Sequence, residues 1–442
     1  MDLLIAFLIF IGAMVGSLTL GLPSALAIAV GLLAFTGVAL RRGYRLAGLV
    51  PAALDAVKSA RGVVFVMAVI GLLTGIWRLS GTITVFVYYG VSGLTPGLFL
   101  LLAFLLAALL SYTLGTSFGV TATLGVIFMA IARAGAVNPL IAGGVLMSGA
   151  FFGDRASPVS SSANLVAAVT GTEILRNVRL MMKTGAVPFL ITVVVYGLLS
   201  VRNPLNHLDT GILAAIRAEY GLSLWCFLPA ALMLVLPLLK IPVIRAMIVS
   251  IAASGAVAVF VQGEPLAEIL KVMLLGYHRE SAALGTILDG GGLLSMCNVI
   301  VVLILSAMYS GIFKKTGMLK GVQGKLSGLA ARIGRFPATA LVGLGVGMVF
   351  CNQTIAILMT RDFMESVYTE AGAAREELAI DMENSVVLLA CLVPWGIGCS
   401  VPLQFLGVSA AALPYAVFMY AVPLTYLFLK KKKRPGGAAA GE

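Results

Sequence analysis

Long apolar runs separated by short polar clusters dominate this chain, and their lengths predict helices that cross a membrane. A span needs about 20 apolar residues. Leu3–Leu20 and Ser24–Leu40 predict a hairpin around Gly21-Leu22-Pro23, followed by Arg41, Arg42 and Arg45. Leu46–Ala60 is amphipathic and is expected on the cytoplasmic surface, with Val63–Trp77 and the base-free Leu79–Leu98 after it. The run Phe99–Ala132 is interrupted at Gly115–Gly119. A polar stretch, Gly153–Asn164, separates Pro139–Phe152 from Leu165–Val169, and Arg176, Arg179 and Lys183 precede the span Val187–Leu199. Ala338–Met364 is too short for two full spans and reads as re-entrant, which leaves roughly 11–14 membrane segments.

The second half repeats the plan of the first. Gly75–Gly81 matches Gly311–Gly317 at an offset of 236, which also carries Pro158 onto Pro394 and Thr116-Ser117 onto Asn352-Gln353. Pro23 matches Pro242 at an offset of 219, and the difference falls in an insertion around Tyr277–Leu293. Basic residues crowd cytoplasmic loops, so loop charge tests orientation. Base-free Leu79–Leu98 corresponds to Lys314–Arg335, which holds six Lys or Arg, and Arg176/Arg179/Lys183 corresponds to base-free Ala411–Tyr415. Each comparison alternates in sign, as expected of inverted repeats: residues 1–200 and 223–430, joined by a linker at 201–222 and followed by a basic cytoplasmic tail at 431–442.

Composition agrees with this all-α polytopic reading. Of 442 residues 60% are hydrophobic and 11% charged, with a mean hydropathy of +1.06, whereas soluble domains carry roughly 25% charged residues. The formal charge of +12 sits in loop-like clusters and predicts a lipid bilayer as partner, not nucleic acid. The first apolar run has no base ahead of it and reads as a retained hairpin. Cys226, Cys297, Cys351, Cys391 and Cys399 form no C-x-x-C pair and are expected as buried free thiols.

Inverted repeats with interrupted helices place a binding site where the repeats meet, and four interruptions supply candidates. An ionisable residue at membrane depth is a functional-site hypothesis by default. Asp154 is the sharpest, a carboxylate able to alternate between proton and cation; capping a half-helix or pairing with Arg155 is its structural alternative. Ser157, Ser160, Ser161, Ser162 and Asn164 offer oxygens to a hard cation, or hydrogen bonds to freed backbone near Pro158. Thr116, Ser117, Asn352 and Gln353 form the matching pair of interruptions. Glu383 and Asn384 border a mixed-charge loop, with a solvated helix start as the alternative. Trp77 and Trp395 read as packing residues. Gly115-x-Ser117-x-Gly119 fits a hydrolase elbow, but that elbow needs a strand before it, and only His207 and His278 exist to serve as base. The chain therefore reads as a transporter and not an enzyme.

Met147–Leu165 resembles the signature of the NhaC-type sodium/proton antiporter family, which runs approximately S-G-A-Y-F-G-D-K-M-S-P-L-S-D-T-T-N-L. Gly75–Gly81, Leu114–Gly119, Asn352–Ile357, Glu383-Asn384 and Val393–Trp395 add to the likeness, which covers about residues 55–200 and 280–430. The resemblance implies a secondary transporter of the bacterial inner membrane; the alternating loop charge and the basic tail put both termini in the cytoplasm, and a homodimer is the expected assembly. It implies Na+ and H+ as coupling ions, no other cofactor, and Na+ held at Asp154, Ser161 and Asn164. Relatives that exchange organic acids or carry amino acids make a small organic solute the second reading. The chain departs from the signature at Ser161, which replaces an acid, and at Leu389-Ala390-Cys391 and Gly396. Fewer anionic ligands replace less of the hydration shell of Na+.

Overall fold

The computed structural model describes residues 2–20, 22–93, 95–205, 216–239, 241–278, 288–317 and 323–432. Among them the fold is helical, with one isolated pair of backbone bridges between Tyr277 and Gly290. Much of the linker and of the 277–293 insertion, most of the basic tail, and His207 lie outside the described residues.

The expected hairpin forms from α1 (Asp2–Leu20) and α2 (Ser24–Arg41), joined across Pro23. α3 (Leu46–Leu79) is a single helix of 34 residues. This corrects the expected division at Ala60: nothing between Lys58 and Val64 breaks the backbone ladder, so the amphipathic start and the apolar span are one rod. The chain then turns at Gly81 (φ 75°) into α4 (Thr82–Gly93), bent by 62° from the end of α3. α5 (Phe99–Leu114), α6 (Ser117–Ala134), α7 (Pro139–Ala156), α8 (Ser161–Thr170) and α9 (Ile174–Arg202) complete the first half.

After the linker come α10 (Leu228–Leu238), α11 (Val243–Phe260), α12 (Leu266–Leu275) and α13 (Cys297–Thr316). α14 (Gln323–Ile333), α15 (Arg335–Phe350), α16 (Gln353–Glu370) and α17 (Arg375–Glu383) follow. The short α18 (Val386–Leu389) leads to α19 (Ile397–Leu406) and then α20 (Val417–Lys432). Among the described residues five helices are long and apolar enough to cross a membrane, seven if each of two bent pairs is one span, and five shorter apolar helices of 10–17 residues accompany them.

Backbone conformation recurs at the offset read from the sequence. Left-handed residues pair as Gly81 with Gly317, Gly115 with Cys351, Ala136 with Gly372, and Gly171 with Gly407, each pair 236 residues apart. α5 and α15 match end for end at that offset, as do α8 and α19. Cys351 holds φ 53° without being glycine, and its thiol accepts a 2.8 Å hydrogen bond from Tyr309. Tyr309 belongs to an aromatic cluster with Phe10, Phe35, Phe313 and Phe350, ring centroids 4.8–6.4 Å apart, that ties α1, α2, α13 and α15 together.

Elsewhere small residues set the packing, because lipid offers no hydrophobic drive between helices and close approach must. Gly149 and Gly153 of α7 lie against Ala107 and Ser111 of α5, and the Ser111 hydroxyl donates to the Ala150 carbonyl. A Cβ on Gly153 would lie 2.0 Å from the backbone of Ser111. Four of the five cysteines are buried and free as expected; Cys297 is exposed, at the first turn of α13 where the helix surface is uncovered. Trp77 and Trp395 are packing residues, donating to Ser250 Oγ at 2.9 Å and to the Met348 carbonyl at 2.8 Å. Gly153→Leu is expected to destabilise the fold by about 1–3 kcal/mol through overpacking, seen as earlier thermal unfolding in detergent, while the same change at Gly197, which faces open space, leaves the transition in place.

Candidate functional site

The polar stretch from Gly153 is narrower in three dimensions than along the sequence. α7 starts at Pro139, pre-set for a first helical position, with the Asn138 side chain accepting from the Leu140 N–H at 2.9 Å. It continues through Asp154 and Arg155 to Ala156, so only Ser157–Ser160 is unwound before α8. Freed backbone groups inside a membrane need partners, and these serines supply them. Ser157 donates to the Tyr112 carbonyl at 2.6 Å. Ser160 caps α8, accepting from the N–H groups of Ser162 and Ala163, and its hydroxyl donates to the Asp154 carbonyl.

Asp154 is 4% exposed and sits where the two halves of the chain meet. Its Oδ2 accepts from Gln353 Nε2 at 3.0 Å and from Ser162 Oγ at 3.2 Å, and the backbone N–H of Ser117 lies beside the same carboxylate. Ser117 and Gln353 each open a helix after a left-handed residue, at matching positions 236 apart. Both interruptions therefore aim at one carboxylate. The side chains beside them, Thr116 and Asn352, cap their own helices by accepting from Gly119 N–H at 3.5 Å and Ile355 N–H at 3.3 Å.

Ser161 and Asn164 are not brought to Asp154. Both are exposed, and Asn164 Nδ2 donates to the carbonyls of Pro158 and Ser160 at 2.9 and 2.7 Å. The reason is helical phase. With Ser160 as cap, the first turn of α8 carries Ser162 toward α7 and leaves its neighbour Ser161 about 100° away around the helix. The side chains gathered at Asp154 are those of Ser162 and Gln353, with Ser161 and Asn164 standing apart from them. Among the described residues no three His, Cys, Asp or Glu side chains gather into a metal cluster.

A second buried group adjoins the first. Glu383 and Asn384 are fully buried, which excludes the solvated helix start. Arg155, also fully buried, does not bond Asp154; its Nη2 reaches the Met181 carbonyl at 3.1 Å, Thr184 Oγ1 at 3.0 Å and Asn384 Oδ1. Both Glu383 carboxylate oxygens, and Arg155 Nε and Nη1, find no hydrogen-bond partner among the described residues. Thr184, which the sequence pattern did not single out, also reaches Asn384 Oδ1 at 3.3 Å and lines a cavity of about 1320 Å³ with Lys183, Arg335, Tyr426 and Lys430. Beside that cavity Lys430 pairs with buried Asp381 and with Glu377, and Arg335 pairs with Glu377 at 2.8 Å.

Long apolar helices, two bent helix pairs and interrupted helices that meet at a buried carboxylate define a multi-pass membrane protein. A family model described as the Na+/H+ antiporter family matches residues 149–430, and the chain belongs to that family. It is 28% identical to the Na(+)/H(+) antiporter NhaC of Alkalihalophilus pseudofirmus, covering 85% of this chain and 83% of that protein. It is 26% identical to a malate-2H(+)/Na(+)-lactate antiporter of Bacillus subtilis, over 91% and 87% of the two chains. An arginine/ornithine antiporter, ArcD of Halobacterium salinarum, is 24% identical over 91% and 85%.

The arrangement separates adjacent serines by role. Ser161→Ala should leave stability within about 0.5 kcal/mol of the parent, as for an exposed side chain free of special contacts. Ser160→Ala should cost about 1 kcal/mol through loss of the helix cap. Thermal unfolding of the two purified variants side by side checks both; equal losses would refute the assigned phase of α8.

Proposed function

We propose that this protein is a secondary active transporter that exchanges Na+ for H+ by alternating access, with Asp154 as the group for which the two cations compete. The observation that supports this reading best is the bonding of Asp154: a buried carboxylate between two helix interruptions whose hydrogen-bond partners, Ser162 and Gln353, are both neutral. A buried anion is costly unless it is paired, and here the pairing charge is left for a mobile cation to bring. Na+ and H+ are the coupling ions, and Ser162 Oγ with Gln353 Oε1 are the neutral oxygens that complete the ion's shell. Residues 1–200 and 223–430 act as two inverted halves around this point. The protein works in a bacterial inner membrane with both termini cytoplasmic.

A second reading, exchange of a small carboxylated solute, is favoured by Arg155. A buried guanidinium with Nε and Nη1 unpartnered has capacity for a carboxylate, which arginine recognises through its planar fork. The relatives named for malate and lactate, and for arginine and ornithine, fit that chemistry.

Proteoliposome flux separates the two. Na+ added outside acid-loaded vesicles should collapse the pH gradient, and Asp154→Asn should abolish the collapse while leaving the protein folded. No response to Na+ together with saturable counterflow of an organic or amino acid would overturn the first reading in favour of the second. Collapse retained in Asp154→Asn would remove Asp154 from the mechanism.

A further inference from the structure

Gln353 holds Asp154 through the wrong end of its amide for a cation site. Its Nε2 donates to Asp154 Oδ2 at 3.0 Å and to the Val387 carbonyl at 2.9 Å, while Oε1 lies 3.4 Å from Ser162 Oγ, whose single proton it shares with Asp154 Oδ2. The carbonyl of Val387 can only accept, so the network fixes the NH2 group toward Asp154 and Val387 and the oxygen toward Ser162. Both amide hydrogens are therefore committed, one to α7 and one to α18. A cation arriving at Oδ2 meets the positive end of an N–H dipole where it needs an oxygen. Turning the amide by half a revolution about its last torsion, which is broad and two-fold, brings Oε1 onto the ion. The same turn would set Oε1 against the Val387 carbonyl, two acceptors face to face, so the contact with α18 must open.

We propose that Gln353 is the positioning residue that converts cation occupancy at Asp154 into release of α18, by reversing its amide and giving up Val387. This rests on Asp154 being the cation site. The consequence follows the chain. α18 begins two residues after Asn384 and leads through the unwound Val393–Gly396 into α19, whose first N–H donates to the Cys351 carbonyl at 2.7 Å. Cys351 adjoins the interruption that Gln353 itself closes, so one amide sits at both ends of this loop of structure. Filling the ion site and freeing the segment are then one event, and transport needs the second as much as the first.

The test separates binding from turnover. Equilibrium binding of radioactive sodium to the purified protein is measured beside maximal exchange in proteoliposomes, for wild type and Gln353→Met. The thioether keeps the side chain's length but has no amide. Sodium should still bind, its affinity lowered a few-fold by loss of one neutral oxygen while the Asp154 carboxylate remains, whereas the maximal rate should fall by a clearly larger factor, roughly tenfold or more, the worth of hydrogen bonds of this kind. Trp395 supplies a signature independent of flux. In a Trp77→Phe, Trp225→Phe background it is the remaining tryptophan of three, and sodium should shift its emission in the parent but not in Gln353→Met. Should Gln353→Met fail to fold, Gln353→Asn, which keeps the amide but is too short to span both partners, should show the same division. Turnover that is unchanged, or that falls by the same factor as affinity, overturns the role of Gln353. Absence of sodium binding to the wild type overturns instead the assignment of Asp154 as a sodium site.

Discussion

A buried carboxylate held only by neutral donors is the constraint on which the centre of this protein depends. Asp154 takes hydrogen bonds from an amide and a hydroxyl, and the cation next to it in sequence, Arg155, is turned away to Asn384 and Thr184. Neutral donors spread the charge without cancelling it. Had Arg155 paired with Asp154, the site would be a closed ion pair of the kind that costs several kcal/mol to open. Keeping the guanidinium on a different partner leaves the carboxylate available, and the close α5–α7 contact through Gly153 fixes it there.

The interruptions serve this arrangement twice over. Each one exposes helix ends whose orphan groups must be satisfied, and each also turns an N-terminus toward the centre. Thr116, Asn352 and Ser160 satisfy the backbone as caps, which frees their neighbours Ser117, Gln353 and Ser162 to address Asp154. The pattern repeats: a cap residue spends its oxygen on its own helix, and the next one or two positions face the site. At the far ends of α8 and α19 arginines do the complementary work. Arg361 Nε donates to the Val169 carbonyl at 2.9 Å, and Arg133 Nη2 to the Leu406 and Gly407 carbonyls at 3.1 and 2.8 Å. These cations meet the negative ends of two half-helices, each from the opposite half of the chain.

Much of this was legible in the sequence, and the reason is that interruptions of an apolar run are costly enough to be conspicuous. Gly115–Gly119, Cys351–Thr354 and the stretch from Gly153 stand out against their surroundings, and the offset of 236 that links them reappears in the left-handed backbone positions. What was not legible was phase and partnership. Four serines in six residues look equivalent until the helix start is known; naming Ser160 as the cap then separates Ser162 from Ser161 by a rotation the composition does not encode. The capping preference of serine was the one available signal. Likewise Arg155 and Asn384 are 229 residues apart, and Thr184 looks like any threonine bonding back along its own helix, which it also does through Leu180 and Met181.

Glu383 shows how burial changes the meaning of a residue that sequence leaves ambiguous. Beside Arg361–Asp381 it looked like the polar start of a helix, where carboxylates are stabilised by the helix dipole. It closes α17 instead, at the negative end, buried, with neither oxygen hydrogen-bonded. Nothing local stabilises an anion in that position. The nearest compensation is the charge on Arg155, reached across the gap between the two halves of the chain. Arg155 is thus the charge partner of Glu383, while Asp154 is held apart from it by the neutral groups of Ser162 and Gln353. The same chain thus separates its two buried acids by partner: one is set against a guanidinium from the other half, the other against hydroxyl and amide groups alone.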